Sequence, residues 1–405
     1  MMKKLLTGCL LLLLQIALFA QKFDSIALTP QMGWNSWNTF ATNINEQLVK
    51  ETADALVNLG LKDAGYQYLV LDDGWMAMER DANGNLLPHP EKFPHGIKAV
   101  ADYVHSKGLK FGLYNCAGAK TCAGYPGSRG HEYQDARKYA EWGVDFLKYD
   151  WCNTGKMNAE EAYSTMRDAL HAAGRPVLFS LCEWGTYDPW QWGGPVGHSW
   201  RISGDIYNCF DCKHDHGGWY SWGALQILDM RNLDTLRTKA GPGRWNDLDM
   251  LEVGNGGMTA HEERTHFALW ALLNSPLMLG NDLRNMKPET LTLLKNKEVI
   301  RINQDPLGIQ GFKWKTIGNV EVWVKPLANE EWAICFFNRS KTNTPFEFNW
   351  SGQSITDSFL GKTLSFNGNV YKLKELFTDQ QQGNTSKKYS ASLGSYQSVL
   401  LRLSK

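Results

Sequence analysis

The sequence predicts an α/β protein: a (β/α)8 TIM barrel followed by a C-terminal antiparallel β-sandwich domain. Three observations carry that expectation. Short apolar runs alternate with stretches of helical period, most of these runs end on polar or acidic residues, and the pattern turns purely strand-like near residue 310. Tyr68-Leu69-Val70-Leu71 is a buried-strand run ending in Asp72-Asp73-Gly74-Trp75. The stretch before it places Ile44, Leu48, Ala55, Leu56 and Leu59 at helical spacing. Ile97, Val100, Ala101 and Val104 mark another helix, with Gly108 where a C-terminal cap belongs. Strands are expected at Leu109–Tyr114, at Val144–Tyr149 before Asp150, and at Val177–Leu181 before Cys182-Glu183-Trp184.

Strand, polar end, helix, strand is the rhythm of a parallel sheet. In a closed barrel of eight such units the strand ends converge on one face, where the loops build a site. A doubly wound dinucleotide-binding sheet would carry a glycine-rich phosphate turn after its first strand. No G-x-G-x-x-G opens a helix here, so the barrel is the reading. Beyond it, Val320–Val324, Trp332–Phe337 and Ser398–Leu403 read as strands joined only by loops. The expected division is 1–20 as a leader, 27–310 as the barrel and 311–405 as the β domain, to which no site is assigned.

The chain has 405 residues with 42 basic and 42 acidic side chains, for a formal net charge of zero. That balance offers no basic stripe for nucleic acid and no bulk field for a strongly charged substrate. The 17 Trp suit flat apolar ligand faces or a buried core, and composition does not choose between them. The first twenty residues, MMKKLLTGCLLLLLQIALFA, have a basic start, an apolar stretch and a small residue at Ala20. They read as a secretory signal peptide cleaved near Gln21, implying a periplasmic or extracellular location. Cys9 precedes most of the apolar run, which argues against lipoprotein anchoring, and no second run reaches membrane-spanning length. Of 8 cysteines, seven remain after the leader, so at least one is free or pairs outside the chain. Cys209 and Cys212, with His214 and His216 just beyond, are a metal site or a local disulfide. Four ligands within eight residues are cramped for tetrahedral zinc, so no metal is expected.

Acidic residues recur at the ends of the expected strands: Asp72, Asp73, Asp150, Glu183, Asp205, Asp247 and Asp249. Embedded in Trp and Gly, they are hard to read as solvated surface, and glycosidic bond cleavage needs two carboxyl groups flanking the anomeric carbon. Lys148 lies two residues before Asp150, on the same face of its strand. The segments MGWNSWNTF, LDDGWM, TCAGYPGS, LKYDWC, CEWG, WRISGDI, AGPGRWNDLDML, SPLMLGNDL and INQDPLG, in order from residue 30 to 311, resemble those of glycoside hydrolase family 27, the α-galactosidases.

The resemblance implies a retaining enzyme without cofactor or metal, acting on terminal α-galactosides. It implies Asp150 as nucleophile and Asp205 as acid/base. It also implies a sugar-binding shell of Asp72, Asp73, Lys148 and Asp249, with Glu183 and Arg201 at the 2-hydroxyl and Trp37, Tyr114 and Met250 as apolar faces. Cys122 and Cys152 match the family's disulfide. The partner that Cys182 has in animal members is replaced by Gly197, which leaves the pairing of Cys116, Cys182 and Cys335 open. After GDI, the run YNCFDCKHDHGGWYSWGALQ is longer and richer in Cys, His and Trp than in typical members, and is expected either to touch the leaving group or to form a stapled surface loop.

Three rival functions stand beside this reading. An α-N-acetylgalactosaminidase needs small residues where Glu183 stands. A β-L-arabinopyranosidase tends to alter the Asp72-Asp73 pair. An inactive galactose-binding protein would have lost Asp150 or Asp205. The oligomeric state and the natural galactoside are not legible.

Overall fold

Leu69, Phe111, Leu113, Leu147 and Leu181 carry no exposed surface, and they sit on neighbouring strands of one parallel sheet. The computed structural model describes residues 22–405, so the leader lies outside the described residues. The sheet has eight strands: β1 (Met32–Asn35), β2 (Tyr68–Val70), β3 (Lys110–Cys116), β4 (Phe146–Asp150), β5 (Leu178–Cys182), β6 (Ser199–Arg201), then β9 (Trp245–Asp247) and β10 (Leu277–Leu279). Its order is β10-β1-β2-β3-β4-β5-β6-β9, parallel throughout. Just past β9, Leu251 pairs with Leu279 of β10, which closes the sheet into a barrel. Between β6 and β9 a small antiparallel hairpin is inserted, β7 (Lys213–Asp215) with β8 (Tyr220–Trp222).

The crossover helices follow the apolar spacing of the sequence. Ile97, Val100, Ala101 and Val104 are the buried stripe of the helix Gly96–Ser106. The helix Glu46–Asn58 starts where the Asn45 side chain accepts the Leu48 N–H at 2.8 Å, satisfying one of the orphan donors of its first turn. The helix Ala260–Leu272 is buried along its last two turns because the barrel covers one side and the C-terminal domain the other. It begins with a Thr259–Glu262 capping box.

The chain from Phe312 onward is antiparallel β. A six-stranded sheet runs β11 (Phe312–Ile317), β12 (Val320–Pro326), β13 (Trp332–Asn338), β20 (Ser398–Ser404), β17 (Lys372–Glu375), β18 (Gln380–Asn384). Two hairpins, β14 (Thr344–Phe348) with β19 (Tyr389–Leu393) and β15 (Ser354–Asp357) with β16 (Lys362–Ser365), complete the sandwich over Phe336, Phe346, Trp350 and Phe366. The other face of the six-stranded sheet packs on the barrel, where the Thr265 hydroxyl donates to the Tyr396 carbonyl at 2.7 Å. Arg237 of the barrel also forms a buried ion pair at 2.6 Å with Asp357 of the β15–β16 hairpin. Most of the large Trp side chains, including Trp34, Trp75, Trp200, Trp245, Trp270 and Trp350, are core.

Candidate active site

Strand register decides which side chains meet at the C-terminal mouth of the barrel. Tyr114 pairs with Lys148, Cys116 with Asp150, and Asp150 with Cys182. Side chains at paired positions of parallel strands share a face, so Tyr114, Lys148 and Asp150 all point inward. A cavity of 670 Å³ opens above them. Its floor is formed by Asp72, Asp73, Lys148 and Asp150, and one wall by Arg201, Asp205 and Asp249. Trp37, Tyr114, Trp184 and Tyr207 add aromatic surface. Asp72, Asp73, Asp150 and Asp249 are all buried, while the Asp205 side chain keeps 37% of its surface.

The carboxylates are held individually. Asp72 accepts from Lys148 Nζ at 2.7 Å, from Asn35 Nδ2 at 2.8 Å and from the Asp73 N–H at 2.9 Å. Asp73 accepts the N–H groups of Gly74 and Ala123 at 2.8 and 2.9 Å. Burial nevertheless pushes the Asp73 carboxyl up to about 6. One guanidinium serves two acids: Arg201 Nη2 lies 2.9 Å from Asp205 Oδ1 and 2.9 Å from Asp249 Oδ2. Asp249 has φ of +76°, a left-handed conformation, and its carboxylate also accepts the Ile206 N–H at 2.7 Å. That hydrogen bond ties the chain carrying Asp205 to the segment just after β9.

Cys122 and Cys152 are joined, linking the loops after β3 and β4. Tyr114 donates its hydroxyl to Cys122 Sγ at 3.2 Å. Cys209 and Cys212 are also joined, so their sulfurs are bonded to each other rather than free to hold a metal. Among the described residues, the single grouping of possible ligands is Cys122, Asp150 and Cys152, and both of its sulfurs belong to the disulfide. Cys116, Cys182 and Cys335 are buried free thiols.

Two residues of the expected shell do not reach the main cavity. Glu183 follows Cys182, and Cys182 faces inward, so strand alternation turns Glu183 the other way. Its carboxylate accepts the Tyr187 N–H at 2.7 Å beneath the next loop, and burial pushes it up to about 7. Trp184, with φ of +61°, is the member of CEWG that lines the cavity. Met250 lines a small void below the floor, with Asp247, Met278 and Phe146.

Sequence reasoning missed Glu252, a buried acid at the cavity edge that accepts from Asn38 and Asn255 and is pushed by burial up to about 7. It stands three residues after Asp249, immediately beyond the motif AGPGRWNDLDML. Sequence reasoning gave the segment after Asp205 as a loop, and the structure makes part of it the β7–β8 hairpin.

Converging carboxylates, a shared guanidinium and aromatic faces at the C-terminal mouth of a TIM barrel are the equipment of a glycoside hydrolase. Comparison with known proteins agrees. The sequence model described as alpha galactosidase A matches residues 29–305, and that described as the alpha galactosidase C-terminal beta sandwich domain matches residues 317–403. An enzyme of Cellvibrio japonicus named alpha-galactosidase A is 50% identical over 407 residues, covering 100% of both chains. The crystal structure of alpha-galactosidase I from Mortierella vinacea superposes with a TM-score of 0.86 at 36% identity, over 94% of this chain and 98% of that one. The Saccharomyces cerevisiae enzyme with raffinose gives 0.85 at 31% identity, over 94% and 98%. The chain belongs to the α-galactosidase family, glycoside hydrolase family 27, and is a glycoside hydrolase.

Proposed function

We propose that the enzyme removes terminal α-D-galactosyl residues from oligosaccharides, polysaccharides or glycoconjugates with retention of configuration. The observation that carries this reading is the single cavity lined by two carboxylates, Asp150 at the end of β4 and Asp205 just beyond β6, beside the Asp72–Lys148 pair.

In the first step the Asp150 carboxylate attacks the anomeric carbon as the glycosidic C–O bond breaks, and Asp205 gives its proton to the departing oxygen. In the second step water attacks that carbon, Asp205 takes the water proton, and the bond to Asp150 breaks. Asp72 and Asp73 are the acceptors for the 4- and 6-hydroxyls. Arg201 and Asp249 lie on the other side of the ring, and Trp37 and Tyr114 offer it apolar faces. A substrate lacking a hydroxyl would leave one of these buried acids without its donor, which is how such a pocket discriminates.

The 1–20 leader would carry the enzyme to the periplasm or outside the cell, and no helix among the described residues is long and apolar enough to cross a membrane. The active unit on this reading is the barrel of residues 27–310, with residues 311–405 packed behind it.

Burial pushes the Asp150 carboxyl up to about 7, with Lys148 pulling the other way and Asp205 adding to the rise. The attacking form is ionised, so kcat/KM falls as pH drops through that value. Removing the ammonium raises the Asp150 value further. Lys148→Met is therefore expected to move the acid limb of the kcat/KM profile to higher pH, and an acid limb that stays in place would show that Lys148 does not hold the nucleophile ionised.

The specificity is tested by kcat/KM on the 4-nitrophenyl α-galactoside, α-N-acetylgalactosaminide and β-L-arabinopyranoside. With Glu183 turned beneath its loop, the case against the N-acetyl sugar no longer rests on that side chain; the 50% identity to an α-galactosidase supports the choice instead. The α-galactoside is expected to be preferred by at least about tenfold, one well-placed contact's worth of discrimination. Comparable rates on all three would refute the assignment, and no turnover of any would favour a binding protein.

A further inference from the structure

The hairpin that follows Asp205 supplies more of the cavity than the galactosyl group requires. His216, Trp219, Tyr220 and Ser221 line the same 670 Å³ space as Asp150 and Asp205. Trp219 and Tyr220 are 52% and 42% exposed, unlike the core Trp side chains of the barrel. They are also ordered by stacking. His216 lies flat on Trp219, with ring centroids 3.9 Å apart and planes at 8°, and His214 lies flat on Tyr207 at 4.1 Å and 2°. The two imidazoles meet edge to face at 4.5 Å.

This platform is braced from several directions. Trp222 donates its N–H to the Asp205 carbonyl at 2.9 Å and accepts the Tyr207 N–H at 2.8 Å, so the hairpin is hydrogen-bonded to the backbone of Asp205 itself. The Cys209–Cys212 bond closes its foot. Phe210 is buried against Tyr396 of the C-terminal domain, with centroids 5.1 Å apart, and the Tyr396 hydroxyl donates to Asp211 at 2.5 Å. A large aromatic face held in place and left in water is a binding surface that loses little entropy on use.

We infer that Trp219, backed by His216, is the subsite for the leaving group, and that the leaving group it takes is itself a pyranose ring. The inference rests on the α-galactoside reading and names the other half of its substrate. The occupant is the sugar joined through the scissile oxygen, because the platform adjoins the acid that protonates that oxygen. An indole offers an apolar plane to the C–H face of such a ring, and polar groups for its hydroxyls line the same cavity: Ser221 Oγ and His216 Nε2, 2.9 Å apart, and Asn208. A lipid tail would find this surface interrupted by those groups.

The test compares kcat/KM for melibiose, whose leaving group is glucose, with that for α-galactosyl fluoride, whose leaving group fills no subsite. In Trp219→Ala the melibiose-to-fluoride ratio is expected to fall about tenfold, the scale of one aromatic contact, and Trp219→Phe is expected to recover most of it. A ratio unchanged in Trp219→Ala, with both substrates still cleaved, overturns the subsite alone. A wild-type enzyme that cleaves neither substrate overturns the α-galactoside reading, and this inference with it.

Discussion

Asp150→Asn is expected to lower kcat/KM for 4-nitrophenyl α-galactoside by about 10⁴-fold or more, the scale on which a catalytic unit fails when one member is removed. The amide keeps the volume and the hydrogen bond from the Trp151 N–H at 2.8 Å, so the fold around it should survive. What it loses is the anionic oxygen that must bond to the anomeric carbon. Added azide, a small anion able to enter from the vacated side, should restore part of the turnover in Asp150→Gly. Near-normal activity in Asp150→Asn would remove Asp150 from the nucleophile's role, and the Lys148 argument would go with it.

Asp205→Asn should separate substrates by how much help their leaving groups need. Proton donation is worth about 10²–10⁴-fold, so hydrolysis of a galactoside with a sugar alcohol as leaving group is expected to fall by about 10³-fold. An activated phenol, which departs as its anion, should lose far less in the glycosylation step. The Arg201 guanidinium also touches Asp249, so the variant leaves that cation paired, and gross unfolding is not expected. Equal losses across leaving groups would point to a binding or structural role for Asp205.

How much of this was legible beforehand depends on how local the signal was. The strands leading into Asp72, Asp150 and Cys182 are apolar runs with an abrupt polar end, and the helix Gly96–Ser106 shows its buried stripe in the spacing of four residues. Those are properties of neighbouring residues, so sequence displays them. Strands β6, β9 and β10 are three residues each, too short for a period to declare itself, and their membership in the barrel comes from pairing. Lys148 was readable as a neighbour of Asp150 from strand alternation, but its direct contact is with Asp72, seventy-six residues earlier in the chain, which only closure of the sheet brings near.

Glu183 went the other way. Motif resemblance suggested the sugar's side, whereas the phase of β5, fixed by Cys182 opposite Asp150, turns it under the loop and presents Trp184 instead. The hairpin after Asp205 was visible as unusual composition only. That His216 and Trp219 stack, and that they do so in the lining of the cavity holding Asp205, is set by the β7–β8 hairpin, a disulfide and a packing contact from the C-terminal domain.

The central claim is that Asp150 forms a covalent link to galactose, which water then breaks from the opposite face, the one the leaving group left. The stereochemistry of the first product reports on this directly. Proton NMR of the enzyme acting on 4-nitrophenyl α-galactoside, recorded before mutarotation proceeds, should show α-galactose appearing first and the β-anomer only later. Initial release of β-galactose would mean that water attacks the anomeric carbon directly, and the two-step account through Asp150 would be wrong.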